Sequence, residues 1–183
     1  KMEVARNNLP NISYLKEIRK ICNKHNLILI FDECTTGFRR CNGGMHLLTG
    51  VEPDLLMLGK ALGNGYAITA VIGKKQVMKK AEESFISSTF FSERIGFVAA
   101  LKTLNILEKE KPWAKINLIA KYYKKKLIKI AKKQKIKIKV SGLPAIINFS
   151  VENDSDNIIK TYITQEMLKK GFIFNGAIYL CIN

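Results

Sequence analysis

Two apolar segments of the sequence end in charged residues of opposite sign. The segment LILIF is followed by the acids Asp32 and Glu33, and the segment DLLML is followed by Gly59 and Lys60. Each segment has the length and composition of a strand buried in a parallel sheet. Residues that follow such strands lie at the edge of the sheet where α/β proteins bind ligands. We therefore expect a carboxylate and an amine at the same edge of one sheet.

The Lys60 amine is suited to covalent bonding with an aldehyde. A lysine at a glycine-bounded strand end, partly removed from water, can form a Schiff base. Pyridoxal phosphate needs such an amine, and it needs a carboxylate beside its pyridinium nitrogen to act as an electron sink. Taken singly, Asp32 is equally well explained as a loop or cap residue and Lys60 as a surface lysine. The occurrence of both at two strand ends favours a cofactor site.

Other ligand-binding motifs are not formed around Lys60. A phosphate-binding P-loop would require Gly at position 54 and Ser or Thr at position 61, where the sequence has Asp54 and Ala61. A dinucleotide-binding turn fails because Ile68 stands where Gly or Ala is needed, and no G-x-S-x-G hydrolase motif occurs. We interpret the glycines near Lys60 as residues that allow a tight turn beside a ligand.

The cysteines and the net charge do not predict a metal site or a nucleic-acid site. The four cysteines form no C-x-x-C pair, and the two histidines do not lie beside them at zinc-ligand spacing. The net charge is +16, and its excess is mostly lysine between positions 121 and 139. Apolar residues recur there at helical spacing, which predicts a helix with a solvated lysine face. A basic nucleic-acid-binding module over residues 111–140 is the less favoured alternative.

Strands and helices alternate along the first part of the chain, which predicts a layered α/β domain. LILIF, DLLML and AITAVIG are the expected strands. The expected helices are one around Leu15–Cys22 that is capped by Ser13 and ends at Asn26, one near 76–83, and one over 94–110. The last of these is expected to bury Phe97, Ala100, Leu101 and Leu104.

The pattern changes near residues 108–112, where we place a domain boundary. The lysine-rich helix is expected to bury Trp113, Ile116, Ala120, Tyr123, Leu127 and Ile130. The segments IKIKV, AIINFSV, FIF and AIYLCI, with a helix over 157–170, predict antiparallel strands covered by helices on one face.

No run of about 18 uncharged apolar residues occurs, so we expect no membrane span. The sequence does not start with Met and stops within an apolar run, so we expect a fragment of a longer protein. The start lacks the apolar part of a signal peptide. Because the four cysteines are expected to be reduced and unligated, we expect the protein to be cytoplasmic.

Four blocks of the sequence resemble consecutive blocks of the class III aminotransferases. They are MEVARN, LILIFDECTTGFR, GVEPDLLMLGKALGNGY and FISSTFFSERIGFVAALKTL, in the order of the family, between residue 2 and about residue 108. Within the family they most resemble the glutamate-1-semialdehyde 2,1-aminomutase branch. The resemblance implies the α/β fold of the fold type I pyridoxal-phosphate transferases. Residues 1–110 would be part of the large parallel or mixed-sheet domain, and residues 111–183 part of the small α+β domain.

The resemblance also implies roles for individual residues toward pyridoxal 5′-phosphate. Lys60 matches the lysine that forms the Schiff base, and Asp32 matches the partner of the pyridine nitrogen. Cys34 stands where the family usually has a Val that packs under the cofactor ring. Thr89 matches the threonine that contacts the cofactor phosphate across the dimer interface. Glu33 is expected to form hydrogen bonds with residues around the site rather than with the cofactor itself.

The function implied by the resemblance is amino-group transfer in a homodimer whose subunits share the site. Lys60, released by a substrate amine, would act as a general base. The substrates would be amines or amino acids and carbonyl compounds, or one molecule whose amine moves to a neighbouring carbon. No metal, nucleic-acid or membrane partner is implied. Part of the site lies upstream of residue 1 in this family, so the 183-residue chain alone is expected to be inactive. A catalytically inactive homologue is the other alternative.

Overall fold

The computed structural model describes residues 11–181. The block MEVARN lies outside the described residues. The chain divides between Lys111 and Pro112 into two compact units. We call residues 11–111 the N-terminal unit and residues 112–181 the C-terminal unit.

The N-terminal unit is built on a three-stranded sheet of order β1-β2-β3. Strand β1 (Ile30–Asp32) runs parallel to β2 (Leu55–Leu58), and β3 (Ala70–Gly73) runs antiparallel to β2. The predicted strands are therefore present, and the two that precede Asp32 and Lys60 are parallel, as expected from their apolar sequences.

Strand β1 is shorter and more exposed than the sequence predicts. Leu27, Ile28 and Ile30 are 55%, 55% and 51% exposed. Within residues 11–181, β1 pairs with β2 alone and forms an edge of the sheet. The prediction of a strand buried on both faces is therefore wrong for β1, because an apolar run predicts a strand but not which elements cover it.

The N-terminal unit also contains four α-helices and two 3₁₀ helices among its described residues. They are α1 (Ile12–Lys24), α2 (His46–Thr49), α3 (Lys75–Glu82), α4 (Arg94–Glu110) and the 3₁₀ helices over Lys60–Leu62 and Thr89–Ser92.

Helix α1 begins two residues earlier than predicted. The Asn11 side chain caps the helix by accepting a hydrogen bond from the Tyr14 N–H at 3.2 Å. Ser13, the predicted cap, lies inside the first turn, because Asn at position 11 already satisfies the free N–H groups. Asn26 follows the helix with a φ of +52°, so the predicted end lies within two residues of the observed one.

The core of the N-terminal unit lies between β2, α4 and the 3₁₀ helix after Gly59. Its buried members are Phe38, Leu56, Leu58, Leu62 and Ala100.

Helix α4 has the predicted bounds but buries a different stripe. Gly96 and Ala100 are buried and Leu104 is half-buried, whereas Phe97 and Leu101 are 54% and 63% exposed. The prediction that Phe97 and Leu101 are buried is wrong. The small residues at 96 and 100 allow the helix axis to come close to the rest of the unit, and this places the stripe one position earlier.

The C-terminal unit is an antiparallel sheet with two helices. Its elements are α5 (Trp113–Lys133), β4 (Ile138–Ser141), β5 (Ile146–Val151), α6 (Ile158–Lys169) and β6 (Ala177–Tyr179), and the strand order is β4-β5-β6. The antiparallel arrangement was predicted, but FIF forms no strand. The unit buries a short apolar segment at the start of β5, namely Leu143, Ala145, Ile146 and Ile147.

Helix α5 presents an exposed lysine face, as its sequence predicts, but its buried stripe is narrower. Ala120 and Ala131 are buried, while Tyr123 and Ile130 are exposed, contrary to the prediction. Lys124 is the exception among the lysines, because it is half-buried and donates to the Gly142 carbonyl at 3.0 Å. Burial lowers the pKa of the Lys124 amine. None of the helices described in residues 11–181 has the length and apolar content needed to cross a bilayer.

Candidate functional site

The pairing of β1 with β2 brings the two charged strand ends to one edge of the sheet. Asp32 lies opposite Met57 in the parallel register. The Glu33 N–H then donates to the Met57 carbonyl at 2.8 Å, which extends the pairing by one residue. Lys60 follows Met57 by three residues. The edge therefore carries a carboxylate from one strand and an amine from the next.

Strand β1 ends in a turn that Asp32 itself stabilises. The Asp32 Oδ1 atom accepts a hydrogen bond from the Cys34 N–H at 3.1 Å, the pattern of an Asx turn. Asp32 is exposed and Cys34 is half-buried. The strand thus does not continue to Cys34, and it is the turn that directs Cys34 toward β2.

Cys34 lies against Gly59, the residue before Lys60. A Cβ atom placed on Gly59 would lie 3.5 Å from the Cys34 sulfur and 3.2 Å from Thr69 Cγ2. The buried glycine therefore lets the two strand ends approach closely. Through this contact the turn after β1 packs directly on the backbone that carries Lys60.

Lys60 begins a short 3₁₀ helix in an unusual backbone conformation. Its φ is +44°, which is uncommon for a residue other than glycine. The turn is held by two hydrogen bonds, from the Leu62 N–H to the Gly59 carbonyl and from the Asn64 N–H to the Lys60 carbonyl, both 3.0 Å. Within residues 11–181 no element covers the Lys60 side chain, which is exposed. The expectation that Lys60 is partly removed from water is therefore wrong.

The segment after Lys60 is fixed by glycines that leave no room for a side chain. A Cβ atom on Gly63 would clash with the Tyr66 carbonyl oxygen. A Cβ atom on Gly96 in α4 would lie 3.0 Å from the Ala67 carbonyl oxygen and 3.1 Å from Ile68 Cβ. The amino-terminal part of α4 therefore packs directly on the segment that follows Lys60.

Electrostatics links three of the predicted site residues. Burial raises the pKa of the Cys34 thiol, a hydrogen bond to Asp32 and the charge of Asp32 raise it further, and the charge of Lys60 opposes this. The thiol is therefore protonated at neutral pH and offers a small, weakly polar surface rather than a nucleophile. The structure thus brings Asp32, Cys34 and Lys60 together.

Thr89 stands apart from these three residues. It begins the 3₁₀ helix Thr89–Ser92 and is exposed. Ser88 Oγ caps this helix by accepting a hydrogen bond from the Phe90 N–H at 3.3 Å. Within residues 11–181 no described contact joins Thr89 to Asp32, Cys34 or Lys60. Contacts within this subunit therefore do not support a role for Thr89 beside Asp32, Cys34 and Lys60.

Two buried carboxylates support the sheet, and the sequence patterns gave little sign of how. The family resemblance predicted that Glu33 forms hydrogen bonds, but it did not indicate the donors, which lie in the segment that follows β1. Asp54, at the start of β2, accepts hydrogen bonds from Arg19, Lys74 and the Leu29 N–H at 2.7, 2.6 and 2.8 Å. The Asp54 cluster joins α1, β2 and the start of α3.

Comparison with known proteins places most of the chain in one family profile. The profile described as aminotransferase class-III matches residues 7–179. The chain is 35% identical over 158 residues to the 3-aminobutyryl-CoA aminotransferase of Cloacimonas acidaminovorans, an alignment that covers 86% of this chain and 38% of that protein. It is 29% identical over 177 residues to the glutamate-1-semialdehyde 2,1-aminomutase of Natranaerobius thermophilus, covering 88% and 41%.

A solved structure with the same fold is the FumI protein of Sphingopyxis sp. MTA144, determined in its PLP internal aldimine form. Its TM-score is 0.89 at 23% identity, over 94% of this chain and 42% of that one. The likeness shows that the two chains share a fold. This chain spans about two fifths of the length of the curated relatives named above.

Proposed function

Because the chain belongs to the class III aminotransferases, we propose that it forms part of a pyridoxal 5′-phosphate-dependent enzyme that transfers amino groups. One observation carries the proposal: Asp32, Cys34 and Lys60 meet at one edge of the β1–β2 pair. The chain covers only part of the length of its relatives, so the activity proposed is that of the complete protein.

The groups at this edge fit the cofactor chemically. A carboxylate can pair with a pyridinium nitrogen, and a primary amine can bind an aldehyde. The small thiol of Cys34, which lies beside Gly59 and is protonated, can pack against an aromatic ring. Asp32 would hold the protonated ring nitrogen, Cys34 would pack against the ring, and Lys60 would bind the aldehyde carbon. Bound pyridoxal phosphate supplies an electron sink for the electrons of a broken C–H bond.

The role proposed for Lys60 after substrate binding is that of a proton carrier. When it is not bound to the cofactor, its amine would accept the proton from the substrate carbon and, as an ammonium group, would donate that proton to the cofactor carbon. Its exposed position leaves the amine free to do so. The same residues serve transfer between two substrates and transfer within one substrate, and the relatives named above include proteins of both names.

The proposed assembly is a cytoplasmic homodimer in which each site uses residues of both subunits. Thr89 is exposed, which suits a contact with the cofactor phosphate of the partner subunit. We assign residues 1–110 to the large domain and residues 111–183 to the small domain. Neither alternative, a basic nucleic-acid-binding module or an inactive homologue, gains support from the comparisons.

The test is a covalent label on Lys60. The complete protein is incubated with pyridoxal phosphate, reduced with borohydride and digested, and the labelled peptide is sequenced. We expect the label on Lys60, loss of label and of the visible absorbance band in Lys60→Ala, and no change in the exposed-lysine control Lys79→Ala. A label on another lysine, or a band that persists in Lys60→Ala, would refute the assignment.

A further inference from the structure

Adjacent carboxylates at the end of β1 differ in burial: Glu33 is buried, with 3% of its surface exposed, and Asp32 is exposed. Side chains alternate along an extended backbone, so the two acids leave the end of β1 on opposite sides. Asp32 lies on the side of the proposed cofactor site, and Glu33 lies on the side of the following loop.

Glu33 is satisfied by neutral donors rather than by a cation. Its carboxylate accepts hydrogen bonds from Thr36 Oγ1 at 3.0 Å, from the Met45 N–H at 2.7 Å and from the His46 N–H at 3.2 Å. His46 Nδ1 lies 3.8 Å from Glu33 Oε1, too far for a hydrogen bond. A buried carboxylate persists only when such donors replace its water, so these contacts fix the loop in place.

The loop is shaped for this contact. A Cβ atom on Gly44 would lie 2.9 Å from Glu33 Oε1 and 2.6 Å from His46 Nδ1, so a side chain at position 44 would push the loop away. Met45, whose N–H makes the shortest of the three hydrogen bonds, is itself buried. The segment 41–46, which leads into α2, is therefore joined to the end of β1 by the Glu33 side chain and by packing.

The Glu33 backbone is tied to β2 at the same time. Its N–H donates to the Met57 carbonyl and its carbonyl accepts from the Gly37 N–H, both at 2.8 Å. Asp32 and Cys34 flank this residue on either side. A shift of the Glu33 peptide would therefore displace both of them relative to Lys60.

We propose that Glu33 is a positioning residue: its buried carboxylate holds the backbone that presents Asp32 and Cys34 opposite Lys60. The inference rests on the proposed function. Glu33 touches none of the groups proposed to react, and it acts through its two neighbours.

The informative variant is Glu33→Gln, with Glu52→Gln as an exposed control. An amide of nearly the same size has one acceptor oxygen and one NH₂ group, so the NH₂ group would face donors and break at least one of the three hydrogen bonds. We expect the affinity of the complete protein for pyridoxal phosphate to fall about tenfold in Glu33→Gln. We also expect a shift in the pH midpoint of the visible absorbance band of the bound cofactor, because the position of Asp32 beside the ring nitrogen affects that band. Glu52→Gln should match the wild type in both measurements.

A second measurement needs no cofactor. Iodoacetamide labelling of the cofactor-free protein, followed by peptide mapping, reports each cysteine separately. We expect Cys34 to be labelled several-fold faster in Glu33→Gln, relative to the exposed Cys181 in the same sample. Cys22, which is buried in α1, should keep its wild-type rate.

The outcomes separate this inference from the proposed function. A wild-type protein that binds no pyridoxal phosphate overturns both. A wild type that binds it, with unchanged affinity and band in Glu33→Gln, overturns the positioning role alone. Equal acceleration at Cys22 and Cys34 also overturns it, because that result means general unfolding rather than a local shift.

Discussion

Two buried carboxylates lie at opposite ends of the β1–β2 pair, and they have different partners. Asp54 lies before β2 and is held by the cations Arg19 and Lys74 together with one N–H group. Glu33 lies after β1 and is held by two backbone N–H groups and a hydroxyl. An ion-paired acid joins side chains of separate elements, whereas an acid bound to backbone N–H groups fixes the path of a loop. The end of the sheet that carries the candidate site uses the second arrangement.

The largest expected effect is that of Asp54→Ala on stability. Removing the carboxylate leaves Arg19, which is mostly buried, without its partner, so we expect a loss of about 3 kcal/mol in the free energy of unfolding. Urea denaturation of the complete protein measures it, with Glu52→Ala as an exposed control expected to change stability by less than about 0.5 kcal/mol. If the free energy of unfolding falls no more in Asp54→Ala than in the control, the ion pairs of Asp54 are not stabilising. The contrast between the ion-paired Asp54 and the hydrogen-bonded Glu33 would then not hold.

The Asp54 cluster should also give stability a pH dependence. Burial by itself raises the pKa of the Asp54 carboxyl, but hydrogen bonds from the Leu29 N–H, Lys74 and Arg19, with the charge of Arg19, lower it overall. The contribution is therefore complete above the unfolded pKa of about 3.9 and is lost as the pH falls below it.

The measurement is a pair of urea titrations at pH 5 and near pH 3. The wild type should lose about 1 kcal/mol more than Asp54→Asn between these conditions, because the variant has no carboxyl to protonate. Equal losses in both proteins would show that other carboxyls control the acid sensitivity.

The last variant, Thr36→Val, removes one of the three donors to Glu33 and is expected to have a smaller effect on stability than Asp54→Ala. We expect a loss of about 1 kcal/mol in the free energy of unfolding and a few-fold lower affinity for pyridoxal phosphate. Thr35→Val is the neighbouring control, since no described hydrogen bond of its hydroxyl reaches Glu33. An equal response of the two variants would remove the case for a specific hydrogen bond at position 36.

Local patterns predicted the elements of the fold well where the signal is carried by adjacent residues. The bounds of α4 and the antiparallel strands of the C-terminal unit followed from apolar patterns, and the parallel β1–β2 pair followed from two continuous apolar segments. The buried stripe of α4 did not, because it depends on Gly96 fitting against Ile68, a contact between distant parts of the chain.

The candidate site was predicted in part for the same reason. Asp32 and Lys60 could be placed at one sheet edge because strand ends are visible in the sequence. The exposure of Lys60 and the donors to Glu33 were not predictable from local spacing, since Met45 and His46 lie twelve and thirteen residues away from that acid. The loop that brings them back leaves no periodic signal.

The half-exposed apolar edge of β1 has a consequence for handling the protein in the laboratory. Within residues 11–181 one edge of β1 has no partner strand and carries exposed apolar side chains, and such an edge is a template for pairing with another chain, and so for aggregation. The net charge of +16 opposes such association at low ionic strength. Because dissolved salt screens that repulsion, concentrated preparations of this chain should become turbid as salt is added rather than as it is removed.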